Sequence, residues 1–149
     1  MINREKLCGI WSAAPTPLTE KMEVNVASVE MMVKHHLRLG INGLFLLGTN
    51  GEGPWLPERH RRTLVRKVVE YNKGRKLIAV QVTDNSALRM LENVKVARED
   101  GTDIAVIAPP HFLMNALPKN ICALYLEMID KSSLPVGIYD RGSFASYCS

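Results

Sequence analysis

Leu46-Leu47-Gly48-Thr49-Asn50-Gly51-Glu52-Gly53 carries an apolar strand straight into a polar turn dense in glycine. In parallel α/β proteins, ligands bind where strands end in such turns. Glycine lets the main chain approach a ligand closely, and a turn of this kind aims N–H groups and a hydroxyl at an anion. Thr49, with the main chain of Asn50 and Gly51, therefore reads as an anion cradle; an ordinary turn bonded to itself is the plainer alternative. A nucleotide loop does not fit. The spacing Gly48-x-x-Gly51-x-Gly53 matches neither the dinucleotide fingerprint nor the P-loop, and no Lys-Ser or Lys-Thr follows.

Outward from this turn, apolar runs of strand length recur at 9–14, 43–47, 77–82, 104–108 and 135–139. Between them the apolar residues take helical spacing: Val29, Met32, Val33 and Leu37; Leu64, Val65 and Val68; Ala87, Leu91 and Val94; Ile121, Leu124, Tyr125 and Met128. Four helices follow from this pattern. Asn25 and Asn85 stand where N-caps belong, Pro57 and Pro118 suit first turns, and Gly40, Gly74 and Gly101 suit C-terminal stops. Strands apolar throughout predict a parallel sheet buried on both faces. The unit repeats at roughly 27 to 34 residues, the length of a βα module. A doubly wound open sheet and a (β/α)8 barrel both accept the pattern, and size favours the open sheet, since a barrel takes about 250 residues.

At 149 residues the chain predicts a single domain, 1–149. Its net charge of +4 is scattered except for Arg59-His60-Arg61-Arg62 with Arg66 and Lys67. This cluster reads as a solvated helix face: no aromatic residues are interleaved, so no nucleic-acid partner is expected. Cys8, Cys122 and Cys148 form neither a disulfide framework nor a zinc pattern, so no metal is expected and a reducing compartment fits. The first residues suit neither a signal peptide nor a membrane span, which predicts a cytoplasmic protein without a membrane partner.

Chemistry in either architecture gathers at the carboxyl ends of the strands. The polar residues there are Thr16; Thr49, Asn50 and Glu52; Thr83, Asp84 and Asn85; His111; and Tyr139 with Asp140 and Arg141. Tyr139 at a strand terminus reads as a proton relay or as a core tyrosine whose hydroxyl reaches the surface. Glu52 reads as a carboxylate that anchors its loop through main-chain N–H groups rather than as a general base, and His111 as a bystander.

These residues resemble those of the dihydrodipicolinate synthase and N-acetylneuraminate lyase family of pyruvate-dependent class I aldolases. Gly48-Thr49-Asn50-Gly51-Glu52 is similar to the family's G-T-T-G-E signature, and Ala13-Ala14-Pro15-Thr16-Pro17-Leu18 to its opening A-x-x-T-P-x turn. Pro109-Pro110-His111-Phe112 is similar to its P-Y-Y region, and the segment from Leu134 to Tyr139 to the one bearing its catalytic tyrosine. The resemblance reverses the size argument, because it implies a partial (β/α)8 TIM barrel of about the first five βα units.

The resemblance also implies a lyase in which a lysine on the sixth strand forms a Schiff base with pyruvate or another 2-oxo acid, with no separate cofactor. Tyr139 would then shuttle protons and Thr49 would hydrogen-bond to it. Thr49, Asn50 and Gly51 would hold the substrate carboxylate, and the full-length family implies a homo-oligomer. Asn50 replaces the family's second threonine, Phe112 stands where relatives often carry a tyrosine, and Asp140-Arg141-Gly142-Ser143-Phe144 departs from the usual N-x-P-x-R run. Lysines 6, 21, 34, 67, 73, 76, 95, 119 and 131 fall on predicted helices, in connections or, for Lys76, at a strand's amino end. No Schiff-base lysine is therefore expected within 1–149, and the chain is expected to be inactive alone. A non-catalytic half-barrel that binds a 2-oxo acid or associates with itself stands beside this reading. Sequential strand order would eliminate the open sheet.

Overall fold

The strands lie side by side in the order in which the chain makes them. The computed structural model describes residues 4–110 and 117–139. In it, strands β1 (Trp11–Ala13), β2 (Gly43–Leu46), β3 (Leu77–Gln81), β4 (Ile104–Ile107) and β5 (Val136–Ile138) form one parallel sheet in the order β1-β2-β3-β4-β5. A doubly wound sheet reverses direction at its first strand. The sequential order eliminates it, and the fold is a run of barrel-type βα units.

Helices α2 (Val26–Arg38), α3 (Glu58–Asn72), α4 (Ala87–Glu99) and α5 (Pro118–Lys131) fill the four connections, and a short α1 (Arg4–Leu7) precedes β1. The local signals explain most of the boundaries. Asn25 Oδ1 accepts from Ser28 N at 3.1 Å and caps α2, and Pro118 opens α5. Two readings are corrected. Ser86, not Asn85, caps α4: the helix begins at Ala87, and it is the Ser86 hydroxyl that accepts from Arg89 N, while Asn85 N donates to the Asp84 carboxylate at 2.7 Å. Pro57 stands just before α3 rather than in its first turn. Gly40, Gly74 and Gly101 all follow helices with positive φ, as expected of C-terminal stops.

The core lies between the sheet and its helices. Leu44 and Leu46 of β2, Ile78 and Val80 of β3, and Ala105 and Ile107 of β4 are buried against Val29 and Val33, Leu64 and Val68, Met90 and Val94, and Ile121 and Met128. The opposite face of the sheet differs. Trp11, Ala13, Phe45, Ala79, Ile104, Val106, Gly137 and Tyr139 line an open apolar hollow of about 510 Å³. In β2 and β4 the half-buried residues, Phe45 and Val106, are the ones that face it. Burial on both faces, expected from the composition of the strands, is complete on the helix side and partial on this one, where Ala79 and Ile104 are buried while Phe45 and Val106 are half-buried.

The basic cluster on α3 is also corrected. His60 is buried, Arg61 and Arg62 are half-buried, and their polar atoms hold the layers together. Arg62 makes a two-pronged contact with Asp100 at 2.8 and 2.9 Å, and Arg66 reaches the same carboxylate at 2.7 Å. Arg61 donates to the main-chain oxygen of Gln81 at 3.1 Å. Among the described residues, no helix is long and apolar enough to cross a membrane.

Candidate functional site

Leu47 follows β2 and is almost fully buried with φ 60°. A bulky side chain seldom adopts this left-handed conformation, because its Cβ crowds the neighbouring carbonyl. The surroundings hold it there. The turn folds back so closely that a Cβ at Gly53 would overlap the Leu47 carbonyl, and one at Gly51 would lie 3.0 Å from Leu47 N and from Ala14 O. Glycine is needed at both places for close approach, since the positive φ values fall on Leu47 and on Glu52, at 55°.

Two main-chain bonds close the turn: Glu52 N donates to Thr49 O at 3.1 Å, and Gly53 N donates to Gly48 O at 3.3 Å. The N–H groups of Thr49, Asn50 and Gly51 donate to no acceptor among the described residues. The exposed Thr49 hydroxyl likewise makes no hydrogen bond among them. Among the described residues, three consecutive N–H groups and a hydroxyl thus have no protein acceptor at the carboxyl end of β2, donors of the kind that anion-binding turns use.

The side chain of Asn50 points elsewhere. Its Nδ2 donates to the main-chain oxygen of Ala13, the last residue of β1, at 2.6 Å. Thr16, buried in the loop after β1, donates its hydroxyl to Gly51 O at 2.5 Å. Glu52 anchors the turn by its main chain. Its exposed carboxylate, expected to accept from N–H groups, accepts no hydrogen bond among the described residues.

Tyr139 follows β5, where its N–H donates to Ile107 O at 2.8 Å. Its half-buried ring leans on Phe45, with centroids 5.5 Å apart and planes tilted by 46°. No hydrogen bond joins it to Thr49 among the described residues. Phe45 also packs beneath the cradle, since a Cβ at Gly48 would lie 2.7 Å from its ring. Phe45 thus links the turn to Tyr139, a role missed in the sequence. Its place one residue out of phase with Leu44 and Leu46 is the signal that carries it.

The neighbouring loops are pinned. Thr83 Oγ1 accepts from Ala108 N at 2.9 Å, joining the ends of β3 and β4. The hydrogen bond from Arg89 holds the Asp84 carboxyl below its ordinary range against the opposing effect of burial. Between β1 and α2, the Glu23 carboxylate meets His60 Nε2 at 2.6 Å, and this contact lowers its pKa. His111, Phe112, Asp140 and Arg141 lie outside the described residues. Among the described residues, no three metal-ligating side chains cluster.

Residues 6–146 match the family model for the dihydrodipicolinate synthetase family. The 4-hydroxy-tetrahydrodipicolinate synthase of Listeria innocua is 33% identical over 131 residues, which cover 87% of this chain and 44% of that protein. Two solved structures share the fold. YagE, a prophage protein of the dihydrodipicolinic acid synthase family from E. coli K12 in complex with pyruvate, aligns with a TM-score of 0.83 at 21% identity, over 93% of this chain and 46% of its own. A catalytic-lysine mutant of the Ruminococcus gnavus sialic acid aldolase aligns with a TM-score of 0.83 at 19% identity, over 98% and 48%. The chain therefore spans under half the length of these relatives.

Proposed function

Because the chain belongs to the dihydrodipicolinate synthetase family, we propose that its turn at residues 48–53 is the carboxylate-holding part of a carbon–carbon lyase site for pyruvate or another 2-oxo acid. The observation that carries this reading is the set of three unengaged N–H groups at Thr49, Asn50 and Gly51, flanked by the Thr49 hydroxyl. A carboxylate accepts several such bonds at once, and donors fixed beforehand need no reorganisation when it arrives. Pyruvate bound to the related YagE agrees in ligand class.

In the family's chemistry a lysine amine condenses with the 2-oxo group with loss of water, and the iminium takes up the electron pair of the bond between the neighbouring carbon and the next one as that bond breaks. Tyr139 is the proton carrier in this proposal, and Phe45 supports its ring. All nine lysines are on helices or in connections, including Lys76 in the bend before Leu77, and none is on a strand. The nucleophile of the proposed reaction thus belongs to a part of the barrel beyond these five βα units. Residues 1–149 alone bind the acid without forming the adduct.

Borohydride reduction with pyruvate tests this directly. Intact-mass analysis is expected to show no adduct, and a mass shift on any of the nine lysines would overturn the assignment. Amide chemical shifts in a pyruvate titration report the cradle, with movement expected at Thr49, Asn50 and Gly51.

A second reading rests on a different observation. Among the described residues, the apolar hollow stands open and the outer strands β1 and β5 have one unpaired edge each, which favour self-association of a non-catalytic half-barrel. Sedimentation decides it: a monodisperse monomer that melts cooperatively would remove this reading.

A further inference from the structure

We infer that Thr16 and Asn50 are positioning residues that set the cradle from the β1 side, so that the substrate carboxylate meets the Thr49 hydroxyl and main-chain N–H groups but not the Asn50 side chain. The inference rests on the 2-oxo-acid reading for the identity of the ligand, though not for the geometry of the turn. Both ties come from one strand end and grip consecutive residues. Asn50 is held through its side chain to Ala13 O at 2.6 Å, and Gly51 through its carbonyl to the Thr16 hydroxyl at 2.5 Å.

Thr16 is 8% exposed and stands between Pro15 and Pro17. A proline on each side restricts the backbone, so the hydroxyl is placed before any ligand arrives. With Gly51 O held by Thr16, the peptide that joins Gly51 to Glu52 is fixed from both sides, since its Glu52 N–H donates to Thr49 O. The Asn50 carboxamide nitrogen already donates to the scaffold. A threonine at position 50 carries its hydroxyl one bond closer to the backbone than that nitrogen, which shortens its reach towards Ala13 O. The tie and the family departure at this position are thus one feature.

The test compares the intact chain with N50D, T16V and T16S. N50D keeps the shape of the side chain while replacing the donor by a charged acceptor, and T16V keeps shape while removing the hydroxyl; T16S keeps the hydroxyl while losing the methyl group. Expected in N50D and T16V are lower backbone order parameters at Thr49, Asn50 and Gly51, and at least tenfold faster hydrogen exchange at Glu52 and Gly53. Exchange in α3 is expected to stay unchanged. Pyruvate affinity, read from the same amides, is expected to fall at least tenfold in the uncharged variant T16V and to stay near that of the unchanged chain in T16S.

Unchanged order and exchange in either N50D or T16V would overturn the inference. A T16S variant as loose as T16V would do so too, by showing that packing rather than the hydroxyl holds the turn. If the unchanged chain binds no pyruvate while N50D and T16V loosen the turn, the positioning roles stand and the 2-oxo-acid reading falls.

Discussion

The two faces of this sheet have nearly the same composition and very different surroundings. On the helix side Leu44, Leu46, Ile78, Val80 and Ile107 are at most 3% exposed. On the other side Phe45 and Val106, immediate neighbours of Leu44 and Ile107, line an open hollow. The helix-facing residues follow from contacts made within these βα units. The inner residues have the composition of a barrel interior, and their apolar character is explained by strands that would close it. The outer face therefore supplies the core, and the inner face, through Phe45, packs against Tyr139 and the turn at Gly48.

The comparison breaks most directly with a pair of alanines. Leu44→Ala is expected to lower unfolding free energy by about 3 kcal/mol, the cost of deleting a fully buried leucine. Phe45→Ala is expected to lower it by only about 1 kcal/mol, since the ring is half-buried at an open face. Urea denaturation measures both, and equal losses would mean that the inner face is covered in solution.

Asp100→Ala is expected to cost about 2 kcal/mol. Asp100 is the C-cap residue of α4, where the helix dipole disfavours a negative charge, and its buried carboxylate is stable there because Arg62 and Arg66 hold it. Burial pushes this carboxyl up, but the two arginines outweigh burial and hold it below its ordinary range. The folded pKa is thus below the unfolded one. The contribution is present above the ordinary aspartate range and is lost as pH falls through the lowered value. Acid denaturation of the variant is expected to be less steep there.

Val106→Ser on the inner face is expected to change stability by less than about 1 kcal/mol while reducing any self-association seen in sedimentation. Smallest is Glu23→Gln. His60 lowers the Glu23 carboxyl, so its contribution is present above the ordinary glutamate range and fades on acidification. The substitution is expected to leave the thermal midpoint nearly unchanged and to remove a small pH dependence of exchange in the loop between β1 and α2.

The existence of five strands and four main helices was legible in the sequence, because runs such as 43–47 and faces such as Val29, Met32 and Val33 declare their periods locally. Strand order was not local and entered through the resemblance, since Gly48 to Glu52 and its companion motifs point to a barrel. A tight glycine-dependent turn at the end of β2 was legible in outline, because Gly48, Gly51 and Gly53 stand where an apolar strand gives way to polar residues. The fate of the Asn50 side chain was not, since its partner lies 37 residues earlier. The basic cluster was misread for the same reason. Charge along α3 gives no sign of a buried aspartate 34 to 38 residues away that takes up two of its arginines.

The ties at Ala13 and Thr16 give the cradle a definite address. Every residue that shapes it, from Trp11 to the start of α3, comes from the first two βα units. Under the proposed function, the element that would hold the acid is therefore a cassette complete within two units. The units that follow carry none of its bracing, so changes there leave its shape intact.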